Sequence, residues 1–417
     1  MPDASEKAPR FEVHPARRDR ALERLERLEI ELPSWGFADT GTRFGKFLQD
    51  AAAISTEDKL DDAAEVHRLT GACPAVAIHV LWDVDGCGSG AVIEGARSLA
   101  AAAKTRGLRI GAINPNVFQD QCYRGGSLAN EDPSIRRRAI DHLIESIAIA
   151  KEVGSDARSL WFADGANYPG QACVRRRKRR FEEGLREVHE AMPASMTMLL
   201  EYKPFEPAFY FTDLADWGMA CTLARKAGPR AKVLVDTGHH LLGQNVEQIV
   251  AFLLDEGMLG GFHFNDRHYA DDDLTSGSID PYRAFRIFLE IVRFERDAAK
   301  AGEPAPPVAF MIDQSHNLKP KVEAMVQTVC TVQELSMKAF LVDLDSLDLA
   351  QSRGDIVAAE ECLKDAFATD VRPVLAAWRA ARGLPGDPLE ACRANGYAAA
   401  AAAARRPRKQ SGGGSYA

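Results

Sequence analysis

The chain lacks the features of a membrane or secreted protein. Its 417 residues contain no apolar run of eighteen or more, which excludes a membrane-spanning helix. Residues 1–10 are charged and lack the apolar core of a secretory signal. The eight cysteines form no CxxC pair, which disfavours a zinc ribbon or a disulfide framework. We therefore expect a cytoplasmic protein without membrane partners.

Signals for nucleotide or nucleic-acid binding are also missing. No GxGxxG follows the first predicted strand, which disfavours a doubly wound dinucleotide fold. The net charge of −8 argues against nucleic acid as the main partner. The apolar share of 46% is ordinary for a protein with a large core.

The chain does contain a regular alternation of apolar runs and amphipathic segments. The runs that predict strands are 75–81, 108–113, 159–162, 196–200, 232–235, 259–264, 308–312 and 339–342. The patterns that predict helices are 89–104, 133–153, 177–191, 213–227, 246–256, 281–299, 319–337 and 355–382. Eight strands, each followed by a helix, predict a (β/α)8 TIM barrel, with an open doubly wound sheet as the alternative.

Composition divides the chain into four predicted parts. Residues 1–70 form an arm and N-terminal helices at 16–32 and 56–69, the latter with Thr56 as its cap. Residues 71–350 form the barrel and carry the metal site. Residues 351–404 form C-terminal helices. The basic, then Gly/Ser-rich tail 405–417 is predicted to be disordered.

Two segments end abruptly in acids and imidazoles, as buried parallel strands do when they deliver ligands at their carboxyl ends. They are 233–240 (VLVDTGHH) and 260–266 (GGFHFND). Neighbouring strands lie about 4.8 Å apart, so consecutive strand ends can reach one divalent ion. Carboxylates with imidazole suit Mn²⁺, Mg²⁺ or Co²⁺. The candidate ligands, from the fourth to seventh predicted strands, are Glu201, Asp236, His263 and Asp313.

A second group of ligand types lies nearby in sequence. His239 follows Asp236 by three positions, and Asp271 and Asp273 would point the same way in an extended loop. Each residue alone has an ordinary interpretation as a turn former, a helix cap or a solvated loop residue. Five crowded carboxylates, however, would repel each other, and two divalent cations would nearly neutralise them.

Several long motifs resemble those of L-rhamnose isomerases, relatives of xylose isomerase. The most specific are 260–266 (GGFHFND) and 311–317 (MIDQSHN), with shorter matches at 32–36 (LPSWG), 41–44 (GTRF) and 206–210 (EPAFY). The resemblance implies a (β/α)8 barrel, a homotetramer, a small sugar substrate and two divalent ions. Mn²⁺ is the expected metal, with Co²⁺, Mg²⁺ or Zn²⁺ as alternatives.

The resemblance also implies roles for individual residues. The first ion would be held by Glu201, Asp236, His263 and Asp313, and the second by His239, Asp271 and Asp273. The residues that would contact the open-chain sugar are His79, Trp82, Trp161 and Lys203. The expected catalytic residues are Lys203, His79 and Asp313. The implied reaction interconverts L-rhamnose and L-rhamnulose by a metal-assisted 1,2-hydride shift, with an enediol route as the competing chemistry.

The sequence departs from the family at Tyr202, where histidine is frequent, and over 114–126, which should lie near the sugar. The basic run 175–180 (RRRKRR) is predicted to be a solvated helix face. The rival enzymes are a ketose 3-epimerase, another aldose isomerase and a metal-dependent phosphodiesterase. A non-catalytic sugar-binding protein is the rival of a different class. Asp313, where an epimerase of this kind would use glutamate, and the pair Asp271 and Asp273 favour the isomerase.

Overall fold

Eight parallel strands close into a barrel in which each strand lies beside its neighbours in sequence. The computed structural model describes residues 15–42, 45–85 and 89–411. The barrel strands are β1 (Glu31–Pro33), β2 (Ala75–His79), β3 (Arg109–Asn114), β4 (Ala157–Leu160), β5 (Thr197–Glu201), β6 (Ala231–Asp236), β7 (Leu259–Phe264) and β8 (Ala309–Ile312). The predicted (β/α)8 barrel is confirmed. The predicted arm 1–14, the motif residues Arg43 and Phe44, and 412–417 lie outside the described residues.

Helices surround the barrel and extend beyond it at both ends of the chain. They are α1 (Pro15–Glu26), α2 (Thr56–Thr70), α3 (Val80–Asp83), α4 (Ser89–Thr105), α5 (Pro133–Val153), α6 (Val174–Ala191), α7 (Trp217–Ala227), α8 (Val246–Asp255), α9 (Pro281–Ala301), α10 (Lys321–Phe340), α11 (Leu344–Arg353), α12 (Ile356–Ala368), α13 (Arg372–Ala380), α14 (Pro388–Ala394) and α15 (Tyr397–Ser411). Among the described residues, none of these helices combines the length and apolar character needed to cross a membrane.

The first barrel strand, β1, lies at the end of the segment predicted as a helix and is not among the predicted strands. Glu31 of β1 is in register with Ala75 of β2 and with Met311 of β8. The prediction of a helix over 16–32 is therefore wrong at its end, and the barrel does not start at residue 71. A strand of three residues is too short to show the alternation by which strands are recognised.

The predicted strand at 339–342 is wrong. Its first residues form the end of α10, which is buried along most of its length. Periodicity alone does not separate a short apolar run in a buried helix from a buried strand. The candidate ligands predicted on strands four to seven consequently lie on or directly after β5 to β8.

Hydrogen bonds at helix starts explain two smaller differences. The side chain of Ser55, rather than Thr56, accepts from the backbone of Asp58 and begins α2 with a capping box. The predicted helix 355–382 is divided into α12 and α13. Extended backbone at Thr369 ends α12, and the Asp370 carboxylate accepts from the backbone N–H of Arg372, 3.1 Å away, at the start of α13.

An apolar layer inside the barrel lies directly below the carboxyl ends of the strands. Its members are Ala77, Ala112, Leu199, Leu234 and Met311. Side chains alternate along a strand, so the residue two positions further on faces the same interior. Those residues are His79, Asn114, Glu201, Asp236 and Asp313. The fold thus places one polar layer above an apolar floor, at the face where barrel active sites lie.

Buried charges anchor α15 to α2. Arg405, which is 3% exposed, donates two hydrogen bonds of 2.9 Å to the fully buried carboxylate of Asp62. The hydroxyl of Tyr397 donates to the same carboxylate at 2.6 Å. Residues 405–411 of the predicted disordered tail therefore belong to a helix. Apart from these corrections at the barrel start and the tail, the division of the chain into domains remains a prediction.

Replacing Arg405 by methionine should destabilise the protein strongly, because Asp62 would keep a buried charge without its cationic partner. We expect the free energy of unfolding to fall by about 3 kcal/mol. The control is Arg406→Met, which removes an exposed ion pair with Asp50 and should cost about 1 kcal/mol or less. Urea unfolding of both variants measures the difference, and equal midpoints would contradict this role of Arg405.

Candidate metal centre

Four potential ligands converge at the carboxyl ends of β5 to β8. They are Glu201, Asp236, His263 and Asp313. Each offers one ligand atom, and these four atoms all lie within 4.8 Å of one another. The strand register explains the convergence, since Asp236 is paired with His263 and Glu201 with Leu234. Three of these residues are buried and Asp313 is half-buried, and oxygen and nitrogen atoms at this spacing form a cluster that could hold a metal ion.

The imidazole of His263 tests whether a cation fits. Its Nδ1 lies 3.2 Å from Glu201 Oε2, 3.5 Å from Asp313 Oδ2 and 4.0 Å from Asp236 Oδ2. This buried nitrogen has no hydrogen-bond geometry to any described residue. Burial alone would lower the pKa of His263, but the surrounding carboxylates raise it to about 9. A buried nitrogen among three carboxylate oxygens is a donor set that fits a divalent transition metal.

Neighbouring groups hold the carboxylates in place. The Asn265 amide donates to both oxygens of Asp236 at 3.0 Å, and the Gly238 N–H donates to Asp236 Oδ1 at 2.7 Å. A Cβ at position 238 would lie 2.4 Å from Asn265 Oδ1, so only glycine allows this approach. The indole N–H of Trp35 donates to Asp313 Oδ1 at 2.8 Å. Partners of this kind orient ligands around a metal.

The second predicted set of ligands lies beside the first. His239 Nε2 is 3.0 Å from Asp271 Oδ1, while Nδ1 of the same ring is 3.2 Å from Glu201 Oε1. The other oxygen of Asp271 accepts a hydrogen bond from Lys203. Asp273 borders the same cavity, and burial together with the charges of Asp271 and Asp313 raises the pKa of its carboxyl well above the usual value. The two sets therefore share one crowded acidic space.

A cavity of about 240 Å³ opens above the cluster. Its aromatic walls are Trp35, Trp82, Phe118 and Trp161. Pockets for drug-sized ligands have volumes of roughly 300–1,000 Å³, so this cavity suits a smaller molecule. Phe118 was not among the predicted site residues. Its ring lies edge-on to that of Trp161, with the ring centroids 4.7 Å apart. The single sign of it in the sequence is its place in the segment 114–126.

Two polar side chains face this cavity, one neutral and the other positively charged. His79 lies against Trp82 with ring centroids 3.8 Å apart. Burial, aided by His142 and Lys59, lowers the pKa of His79 to about 3, so the imidazole is neutral near pH 7. Burial would also lower the pKa of Lys203, but Asp271 and Glu206 raise it, and the ammonium stays charged.

Two of the departures from the family, Tyr202 and the basic run 175–180, lie outside the cavity lining. The hydroxyl of Tyr202 is 2.7 Å from Nε2 of buried His240, and Tyr202 does not line the cavity. The basic run 175–180 begins α6 and is mostly exposed, as predicted. Arg177 is the exception, because it is buried and lies 2.7 Å from Asp213 Oδ2.

Comparison with known proteins places the chain in a family. Residues 77–295 match the family described as xylose isomerase-like TIM barrel. A probable sugar isomerase of Rhizobium meliloti is 40% identical over 390 residues, which cover 92% of this chain and 88% of that protein. A probable sugar isomerase of Mesorhizobium japonicum is 39% identical over 381 residues, or 90% and 86% of the two chains. The chain belongs to the xylose isomerase-like TIM barrel family.

More distant proteins are similar in part of the sequence or in fold. Xylose isomerase of Thermus thermophilus is 26% identical over 203 residues, 45% of this chain and 51% of that enzyme. The structure of an L-ribulose 3-epimerase superposes with a TM-score of 0.54 at 16% identity, covering 75% of this chain and 97% of the other. The structure of a D-psicose 3-epimerase superposes with a TM-score of 0.51 at 11% identity, covering 75% of this chain and 96% of the other. At these identities the two structures show a shared fold alone.

Protons should compete with a cation for His263. With a pKa of about 9, this imidazole is protonated at pH 7 unless a cation displaces the proton. The affinity for Mn²⁺ should therefore rise with pH below that pKa, by up to about tenfold per pH unit for each proton displaced. Calorimetric titration of the EDTA-treated protein with Mn²⁺ at two pH values measures this change in affinity. The control is His268→Gln, which alters an exposed histidine outside the ligand sets and should keep the wild-type pH dependence. A dissociation constant independent of pH would contradict the assignment.

Proposed function

We propose that this protein is a metal-dependent aldose–ketose isomerase that interconverts L-rhamnose and L-rhamnulose. One observation carries the proposal: members of two adjoining ligand sets line a small cavity whose other walls are aromatic. The relatives named as probable sugar isomerases support the reaction class. The motifs 260–266 and 311–317 support the choice of sugar.

We assign the two ligand sets to two divalent cations, with Mn²⁺ as the expected metal and Co²⁺, Mg²⁺ or Zn²⁺ as alternatives. The first set is Glu201, Asp236, His263 and Asp313, and the second is His239, Asp271 and Asp273. When bound, such cations act as Lewis acids that stabilise negative charge on substrate oxygens. The raised pKa of Asp236, about 7 because of burial and its acidic neighbours, supports a cation requirement.

We assign Lys203 the donation of a hydrogen bond to a substrate oxygen close to the cations. Its ammonium is held by Asp271 and lies 2.8 Å from Glu206 Oε2, so its position is fixed before the sugar binds. Such preorganised donors stabilise charge that develops during a reaction. Asp313 borders both the ligand cluster and the cavity, and we assign it a catalytic role beside Lys203.

His79 and the tryptophans are assigned to the sugar itself. The imidazole is neutral, and its buried Nδ1 has no hydrogen-bond partner among the described residues. We assign His79 a role in ring opening, and the alternative role is a fixed hydrogen bond to a sugar oxygen, which a neutral imidazole can donate or accept. The faces of Trp82 and Trp161 suit the apolar 6-methyl group of a deoxy sugar. We assign a 1,2-hydride shift to this site, with an enediol route as the competing chemistry.

We further propose a homotetramer in the cytoplasm. Large apolar side chains in the loops that follow the barrel strands are each at least 71% exposed, and they are Leu48, Tyr168, Phe209, Leu242, Tyr269 and Leu318. A concentration of exposed apolar groups at one face suits burial against another copy of the chain. The cysteines of the described residues carry free thiols, which suits a reducing compartment.

The proposed function is tested by removing and restoring the metal. EDTA treatment should abolish conversion of L-rhamnose to L-rhamnulose, and added Mn²⁺ should restore it, because no other group at the site can supply the Lewis acid. Product analysis by chromatography separates the aldose–ketose reaction from C3 epimerisation of L-rhamnulose. Activity that is indifferent to EDTA would remove the metal requirement, and epimerisation without isomerisation would favour the rival enzyme.

A further inference from the structure

The loop between β7 and α9 carries Asp271 and Asp273, and its two ends are joined. The backbone N–H of Asp266 donates to the carbonyl of Leu274 at 2.8 Å, and the N–H of Leu274 donates to the carbonyl of Asp266 at 2.8 Å. This antiparallel bridge closes residues 267–273 into a ring of fixed length. The positions of Asp271 and Asp273 therefore depend on this bridge.

The carboxylate of Asp266 ties the bridge to the start of α9. Its Oδ2 accepts from the backbone N–H groups of Ile279 and Asp280 at 2.9 and 3.0 Å. Its Oδ1 accepts from the Arg267 N–H at 2.9 Å and from the Arg283 guanidinium at 2.7 Å. The side chain is 1% exposed and lines neither the cavity nor the ligand cluster. Its four hydrogen bonds all join the loop to itself or to the first turn of α9.

The backbone of the loop also needs this support. Asp273, next to the bridge, has φ of 46°, a left-handed conformation that non-glycine residues rarely adopt. Such a conformation persists where the surrounding structure over-determines it. The middle aspartate, Asp272, turns away and accepts from the backbone N–H groups of His268 and Tyr269 at 2.6 and 2.8 Å. Asp271 and Asp273 are left on the side of the cavity.

We propose that Asp266 is a positioning residue for the second cation, acting through the loop that holds Asp271 and Asp273. This inference rests on the two-cation site of the proposed function. It predicts that Asp266 affects the second cation and not the first, because the first ligand set lies on or directly after the barrel strands β5 to β8.

Asp266→Asn tests the inference with little change in volume. An amide offers one acceptor oxygen, so it cannot accept from all four N–H groups, and its NH₂ group would face donors. In Mn²⁺ titrations of EDTA-treated protein, followed by the electron paramagnetic resonance signal of free Mn²⁺, the wild type should bind two ions per subunit. The variant should bind the first ion normally and the second about 10- to 100-fold more weakly.

Asp280→Asn is the matched control. Its carboxylate lies in the same loop and caps α9 by accepting from the Arg283 N–H at 2.8 Å. Within the described residues its side chain does not bond to the bridge, so both Mn²⁺ affinities should match the wild type. If Asp266→Asn does not fold by circular dichroism, Arg283→Met replaces it, since it removes one of the four donors. That variant should show a smaller loss at the second ion.

The outcomes separate this inference from the proposed function. Wild-type affinity for both ions in Asp266→Asn, or in Arg283→Met where the first variant does not fold, would overturn the inference and leave the two-cation site standing. Loss of both ions in a folded variant would also overturn it, because the effect would then be general. A wild-type protein that binds a single Mn²⁺ would overturn both the inference and the two-cation proposal.

Discussion

Crowded negative charge in a buried space is the constraint on which the rest of the site depends. Burial and neighbouring acids raise the pKa of Asp236 to about 7 and that of Asp313 above its usual value. The imidazoles of His239 and His263 offset this repulsion only in part, since each sits between carboxylates that compete for it. Bound cations would remove the repulsion. In the proposed reaction the same cations would also stabilise negative charge on the sugar oxygens.

The barrel supports these crowded acids on an apolar layer that fills its interior. Leu199, Leu234 and Met311 fill the interior below the acids, and each lies two residues before a candidate ligand. The strand period therefore directs the apolar packing and the ligands into the same interior, in successive layers. Loops after the strands supply the rest of the site, including Asp271, Asp273 and the aromatic wall at Phe118.

Much of the barrel could be predicted from the sequence, because long apolar runs ending in polar residues are strong signals. β7 was predicted with its observed bounds, and Asp236 and His263 were predicted at neighbouring strand ends. β1 could not be recognised, since three residues show no period. The apolar run 339–342 at the end of α10 resembles a strand, because so short a run does not show whether it is helical or extended.

The part of the site that depends on strand order could be predicted from the sequence. The part that depends on contacts between loops distant in sequence could not. Strand order brought Glu201, Asp236, His263 and Asp313 together. The hydrogen bonds from Asn265 and Trp35 and the buried pair of Arg177 with Asp213 join segments far apart in sequence, and no local pattern announces them. The roles assigned to the individual residues remain predictions.

Anomalous X-ray diffraction from crystals grown with Mn²⁺ tests the central claim most directly. The account predicts two manganese peaks per subunit, one among Glu201, Asp236, His263 and Asp313 and the other among His239, Asp271 and Asp273. A single peak, or peaks away from these side chains, would contradict it.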